Sequence, residues 1–173
     1  MYLISIYFDP KTEGVMQSYI NQVSKATGNS FMLAGKIPPH ITLLALDLQN
    51  QQRVIDLLDE NISKFNGQSV FFASIGAFKG QVLYVEPVLN EYLHNMSLEL
   101  YNIYKDEPDI KFSPYYKPFG WLPHVSVGKH LDKQQMEKGF KVMLNQFVPV
   151  EGMVVSLGIA KTNPHRDIKI YSL

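Results

Sequence analysis

The sequence predicts an α+β fold built from two halves of similar construction, each a small antiparallel sheet with helices on its outer face. Three observations carry this. Short β-branched and aromatic runs alternate with segments of helical apolar spacing. Residues 69–78 and 81–87 read as strands on either side of Lys79-Gly80, a hairpin turn. Pro39-His40-Ile41-Thr42-Leu43 is echoed by Pro123-His124-Val125-Ser126-Val127, 84 residues on from position 40 to position 124. Strands interspersed with helices, together with a hairpin, favour antiparallel pairing.

In chain order, residues 2–8 (YLISIYF) read as a strand bounded by Asp9-Pro10. Residues 11–26 carry Met16, Ile20 and Val23 at helical spacing and stop at Gly28. Residues 40–48 read as a buried strand. A second helical pattern holds Val54, Leu58, Ile62 and Phe65 and closes at Gly67. A third helix carries Leu89, Leu93, Met96, Leu100 and Ile103. Residues 105–121 (KDEPDIKFSPYYKPFGW) hold three prolines and no period, and read as a long loop of the kind that often carries function. LPHVSVGK is a strand, and Met136, Phe140, Met143 and Phe147 mark a fourth helix. Residues 150–160 and 167–172 close the chain as two strands joined by a turn at Asn163-Pro164. Each copy of the repeat precedes a helix opened by paired glutamines, Gln51-Gln52 and Gln134-Gln135. No linker separates independent domains, so residues 1–173 form one domain whose halves carry motifs at 40–42 and 124–126.

Composition narrows the partners. Apolar residues make up 46% of the chain, enough for a real core. The 16 basic and 16 acidic residues cancel. That balance points away from long duplex nucleic acid and toward a small phosphate ester or short oligonucleotide held by local cations. With no cysteine, disulfides, thiolate nucleophiles and Cys-based zinc sites are excluded, and a reducing cytoplasm is compatible. The opening MYLISIYFDPKT has no basic n-region, and no segment approaches the ~18 apolar residues of a membrane span. The expected protein is cytoplasmic and monomeric, with no membrane partner and no cofactor.

The repeated motif carries the chemistry. On a strand, side chains alternate between faces. His40 and Thr42 therefore share a face while Ile41 and Leu43 enter the core. His124 and Ser126 do the same beside Val125 and Val127. A lone histidine on a strand is ordinarily structural. Two copies in matched contexts are not, and if the halves face each other they bring two imidazoles and two hydroxyls to one cleft. Splitting a phosphodiester with water needs a base for the water proton and an acid for the leaving oxygen, and imidazole serves as either near neutral pH. The hydroxyls of Thr42 and Ser126 can donate to the non-bridging oxygens. Zinc is disfavoured, since no third ligand sits at a matching position and catalytic zinc ordinarily takes three. A module that binds a nucleotide without cleaving it would use the same residues, but it has no need of two histidines.

These residues resemble the two-histidine (2H) phosphoesterase superfamily, which includes cyclic phosphodiesterases and proteins named 2′-5′ RNA ligases. Its signature is a pair of His-x-Thr/Ser motifs, each after a strand-entering proline. Here they are His40-Ile41-Thr42 and His124-Val125-Ser126, and SPYYKPFGWLPHVSVGK is similar to the family's approach to its second motif. The resemblance implies a bilobal, LigT-like fold in which two antiparallel sheets form a concave groove with helices outside. It implies metal-independent cleavage of 2′,3′-cyclic phosphates or 2′-5′-linked nucleotide or RNA esters, with RNA ligation as the reverse chemistry. By carry-over, His40 protonates the leaving oxygen, His124 activates water, and Thr42 and Ser126 hold the phosphate. Where many members carry arginine five residues after the second histidine, this chain has Lys129, which loses the planar two-point grip. By strict alternation Lys129 faces away from His124 unless the strand bends at Gly128.

Other residues near the second motif are candidates for substrate contact. Tyr115 and Tyr116 are placed to stack on a base and Lys117 to meet a phosphate; pinning of the loop by its aromatics explains them equally well. Trp121 either lines the groove or packs in the core. Phe78 and Tyr84 read as sheet packing, His94 as surface, and His130 as a residue at the groove's edge. His165-Arg166 falls at a turn and is assigned no function.

Overall fold

A computed structural model describes residues 1–79, 81–162 and 165–173. Its architecture is α+β, with every strand pair antiparallel. The strands are β1 (Tyr2–Phe8), β2 (Ile41–Asp47), β3 (Ser69–Phe78), β4 (Val82–Pro87), β5 (Lys111–Phe112), β6 (Val125–Gly128), β7 (Val150–Lys161) and β8 (Arg166–Ser172). The helices are α1 (Pro10–Thr27), α2 (Phe31–Ala34), α3 (Gln51–Asn61), α4 (Glu91–Tyr104) and α5 (Lys133–Gln146). Strand order is β5-β2-β1-β7-β3-β4-β6, with β8 also on β7. None of the described helices is long and apolar enough to cross a membrane.

β7 serves both halves. Its first residues, 150–153, pair with β3. From Val154 onward it pairs with β1, and residues 156–161 also take β8. One strand thus joins the group carrying the first motif to the group carrying the second. The helices reinforce the join by exchange. α1 follows β1 but packs on β6 and α5, whereas α4 follows β4 but packs on β2.

Local chemistry sets the ends of these elements. The Asp9 carboxylate accepts the Thr12 amide at 3.1 Å, Pro10 opens α1, and Gly28 closes it at φ 71, the left-handed region where glycine is unstrained. Asp132 and Gln135 form a reciprocal capping box at the start of α5. Asn90 caps α4 through the Leu93 amide at 3.0 Å, so Leu89, placed on that helix by its spacing, lies outside it and is exposed. Phe147 likewise falls at the C-cap of α5.

Residues 105–121 are less irregular than their composition predicts. Lys111 and Phe112 add the two-residue β5 to the edge of β2, pairing with Asp47 and Leu46. Two residues are too few to show a period. Ser113 then donates its amide to Ala45, and Pro114–Tyr116 form a 3-10 turn. Of the two turns expected between strands, Gly80 and the Asn163-Pro164 pair lie outside the described residues.

Gly67, read in the sequence as a helix stop, answers a second demand. A Cβ there would run into the Val154 carbonyl oxygen on β7, close to where Val154 donates its amide to Gln68. Backbone cannot rotate away as a side chain can. Gly67→Ala is therefore expected to destabilise the fold by about 2 kcal/mol or more. Urea unfolding checks this; an unchanged midpoint would show that β7 and the segment before β3 have room to part.

Candidate active site

The two motif histidines sit immediately before β2 and β6, on opposite arms of the β7 join. Both line one cleft of about 600 Å³, together with Thr42 and Ser126. Alternation delivers this: Ile41, Leu43, Val125 and Val127 are buried, while the residues between them face the cleft. A separate surface hollow of about 430 Å³ near Lys64 and Glu99 contains neither histidine.

The two imidazoles are held in the same way. His40 Nδ1 lies 2.7 Å from the Pro38 carbonyl, and His124 Nδ1 lies 2.8 Å from the Leu122 carbonyl. A carbonyl only accepts, so each Nδ1 carries the proton. This leaves Nε2 as the ring nitrogen free to take or give one. Burial favours the neutral ring in both cases. It pushes His40 down to about 4 and holds His124 below its ordinary value. The backbone carbonyls act in the opposite sense, and the positive charge of Lys129 adds to the lowering at both rings.

Each motif strand also carries a β-bulge three residues after its histidine. β1 pairs Ile4 with Leu44 and Ser5 with Thr42, so Leu43 is the extra residue. β4 pairs Leu83 with Gly128 and Tyr84 with Ser126, so Val127 is the extra residue. A bulge reverses the facing of everything beyond it. Leu43 and Leu44 are both fully buried, at about 2 kcal/mol of apolar burial apiece. After Val127 and Gly128, Lys129 returns to the cleft, where it joins the lining. Strict alternation would have turned it away. The bulge, not a bend at Gly128 alone, places this cation beside the histidines. Lys79 is a second cation on the lining.

Flanking groups differ between the arms. His124 is boxed by aromatics: Phe78 edge-on at 4.9 Å, Tyr84 at 5.4 Å and Tyr116 at 6.5 Å between centroids. Phe78, read as sheet packing, is thus a wall of the site. Tyr84 is buried because Gly76 opposite it has no side chain; a Cβ there would meet the Tyr84 ring at 2.5 Å. Thr42 accepts a hydrogen bond from the buried Ser5 hydroxyl at 3.3 Å. Tyr116 lines the same cleft as Thr42 and His124.

Among the remaining candidates, Tyr115 lines the cleft and is 78% exposed. Lys117 is exposed and absent from the lining, and Trp121 is buried away from it. His94 packs against Phe119, and His130 against Phe31, outside the cleft. His165, to which the sequence assigned no function, stacks on His40 with centroids 6.0 Å apart. No group of three or more His, Asp or Glu side chains able to hold a metal ion occurs among the described residues.

The sequence matches the family model of the 2′-5′ RNA ligase superfamily over residues 16–166. No curated protein matches it. Among solved structures, Escherichia coli LigT complexed with 3′-AMP is similar with a TM-score of 0.64 at 11% identity, over 99% of this chain and 97% of that one. A phosphoesterase structure gives 0.61 at 10% identity, with the same coverage. Kluyveromyces marxianus Usb1 with uridine monophosphate gives 0.51 at 12% identity, again over 99% and 97%. Identities this low establish the shared fold.

Neutral histidines make stability depend on pH. With the folded values depressed, the unfolded chain binds protons first as pH falls, so stability drops as pH is lowered from about 6.5 toward about 4. Expected is a melting temperature lower at pH 5 than at pH 7, with a smaller difference in His40→Gln. Differential scanning fluorimetry across that interval checks it; the same pH slope in variant and wild type would remove His40 from the linkage.

Proposed function

The chain belongs to the 2′-5′ RNA ligase superfamily, and from that membership we propose that it hydrolyses 2′,3′-cyclic phosphate or 2′-5′-linked nucleotide esters without a metal. The observation that carries this is the matched pair of imidazoles on one cleft, each with Nδ1 tied to backbone and Nε2 free. A binding site needs cations; two tethered imidazoles with lowered proton affinity suit proton transfer.

In the proposed reaction the anionic phosphate sits between the histidines. Its charge raises their proton affinity, so a ring that is neutral in the free protein loads a proton when substrate binds. His124 takes a proton from water as its oxygen forms the new bond to phosphorus. His40 gives its proton to the ribose oxygen whose bond to phosphorus breaks. The product is one phosphomonoester, and the two histidines have exchanged protonation states. A low proton affinity makes His40 a ready donor once loaded. Thr42 and Ser126 donate to the non-bridging oxygens, and Lys129 offsets the charge that develops there. Tyr115 offers an exposed ring to a base. LigT with 3′-AMP and Usb1 with uridine monophosphate are both nucleotide complexes, which supports a nucleotide or short RNA as substrate here. We read residues 1–173 as one catalytic domain, supported by the shared β7 and the exchanged helices. A cysteine-free chain fits a cytoplasmic setting.

Incubation with 2′,3′-cyclic nucleotides in EDTA is expected to yield a single phosphomonoester isomer. His40→Ala and His124→Ala should each lower kcat/KM by about a thousandfold, within the range of general acid–base catalysis. Thr42→Ala and Ser126→Ala should cost roughly ten- to a hundredfold. Near-wild-type turnover in either histidine variant would overturn the mechanism. Nucleotide affinity without product would instead identify a binding module.

Lys129→Ala is expected to lower kcat/KM about tenfold, with recovery in Lys129→Arg, because the bulge directs position 129 into the cleft. Equal rates for Lys129→Ala and wild type would leave the lysine without a part in the reaction.

A further inference from the structure

Behind His40 the fold assembles a polar group that the phosphate chemistry above leaves unused. Tyr7, on β1, lies 6.1 Å from the His40 ring, tilted by 48°. His165, just before β8, stacks on the same ring at 6.0 Å and 21°. One carboxylate serves both neighbours. The Tyr7 hydroxyl donates to Asp167 Oδ1 at 3.0 Å, and His165 Nε2 lies 3.3 Å from that oxygen. The His165 side chain is only 11% exposed, and its buried Nε2 finds no aligned hydrogen-bond partner among the described residues.

The group is one-sided. The ring neighbours of His124 are aromatic, and among the described residues it forms no ion pair with a carboxylate, although the Glu86 charge favours its protonated form from farther off. It is also long-range: Tyr7 and Asp167 are 160 residues apart and meet because β7 holds β1 on one edge and β8 on the other.

We propose that Tyr7, His165 and Asp167 form a positioning clamp for His40, in which Asp167 holds the tyrosine and the second imidazole against the His40 ring and the charges of His165 and Asp167 set how readily that ring takes a proton. The inference rests on His40 being one of the two proton-transfer groups. His165 is a positioning residue, since it acts through His40 rather than on the phosphate. The charged and titratable groups around His40 are His165, Lys129 and His124, with the Tyr7 phenol and Asp167 behind. Burial and Asp167 hold the Tyr7 phenol far above its ordinary value, so it remains a donor throughout. The groups whose charge the clamp adds are therefore His165 and Asp167, of opposite sign.

The opposite signs supply the test. Histidine ring-proton NMR titrations of the free protein, assigned by single His→Gln variants, follow His40 and His124 separately. His165→Gln removes a positive neighbour and is expected to raise the His40 midpoint by about half a pH unit or more. Asp167→Asn keeps the shape and the acceptor for Tyr7 but removes the negative charge, and is expected to lower the midpoint by a similar amount. His124 should move less in both. On a 2′,3′-cyclic nucleotide, the pH profile of kcat/KM should shift with the His40 midpoint in each variant. A His40 midpoint that stays fixed, or moves the same way in both variants, overturns the clamp. The titration needs no turnover. A protein that cleaves nothing but shows opposite shifts refutes the phosphodiesterase reading and supports the clamp's electrostatics. One that cleaves normally with an unmoved His40 does the reverse.

Discussion

The site depends on β7 being common property. Two histidines 84 positions apart, at 40 and 124, can act on one phosphorus only if the strands that carry them are fixed to each other. β2 reaches β7 through β1, and β6 reaches it through β4 and β3. Each link is a ladder of backbone hydrogen bonds, and the exchange of α1 and α4 between the halves buries apolar side chains across the join. Separating the motifs would mean breaking a ladder and unpacking a helix together. That cost keeps the cleft at a width set by the fold rather than by the ligand.

Within that frame the repeat is a backbone device as much as a residue pattern. Each copy has a proline before its histidine, a ring tethered to the carbonyl two residues back, an alternating apolar residue in the core, and a bulge at the third position after the ring. The tether fixes the tautomer, and the bulge sets the facing of the residues beyond the hydroxyl. In the first copy the residue five beyond the histidine is Ala45, which is fully buried; in the second it is Lys129, in the cleft. One device therefore yields core on one arm and a cation on the other.

The strands and helices were largely legible, because their apolar spacing matches the burial that tertiary packing imposes. His40, Thr42, His124 and Ser126 were legible as co-facing pairs, since strand alternation is a local rule and the repeat marks where it matters. Lys129 was not, because a bulge belongs to the pairing of β6 with β4 and leaves no residue signature of its own. Leu89 misled because a side-chain cap at Asn90 outweighs one well-spaced leucine. Lys117 comes after a 3-10 turn that sends its neighbours Tyr115 and Tyr116, but not itself, to the cleft. His165 was invisible for a different reason. Its contact with His40 spans most of the chain and exists only once β8 is registered on β7 beside β1.

A reaction in which acid and base exchange roles is symmetric in its two histidines, and the backbone of this cleft is nearly symmetric too. Direction must come from what breaks the symmetry. Around His124 the neighbours are aromatic rings and Lys129, an environment that disfavours a standing positive charge and keeps Nε2 ready to accept. Around His40 stand a second imidazole and the Tyr7 ring, with the Asp167 carboxylate against both of those neighbours. A base needs only to be neutral before the step. An acid must be loaded before it and then release its proton. Burial nevertheless pushes His40 down to about 4 and Lys129 acts against charge on both rings, so the flanks alone do not load either imidazole, and a proton held at His40 has to come with an anionic phosphate in the cleft.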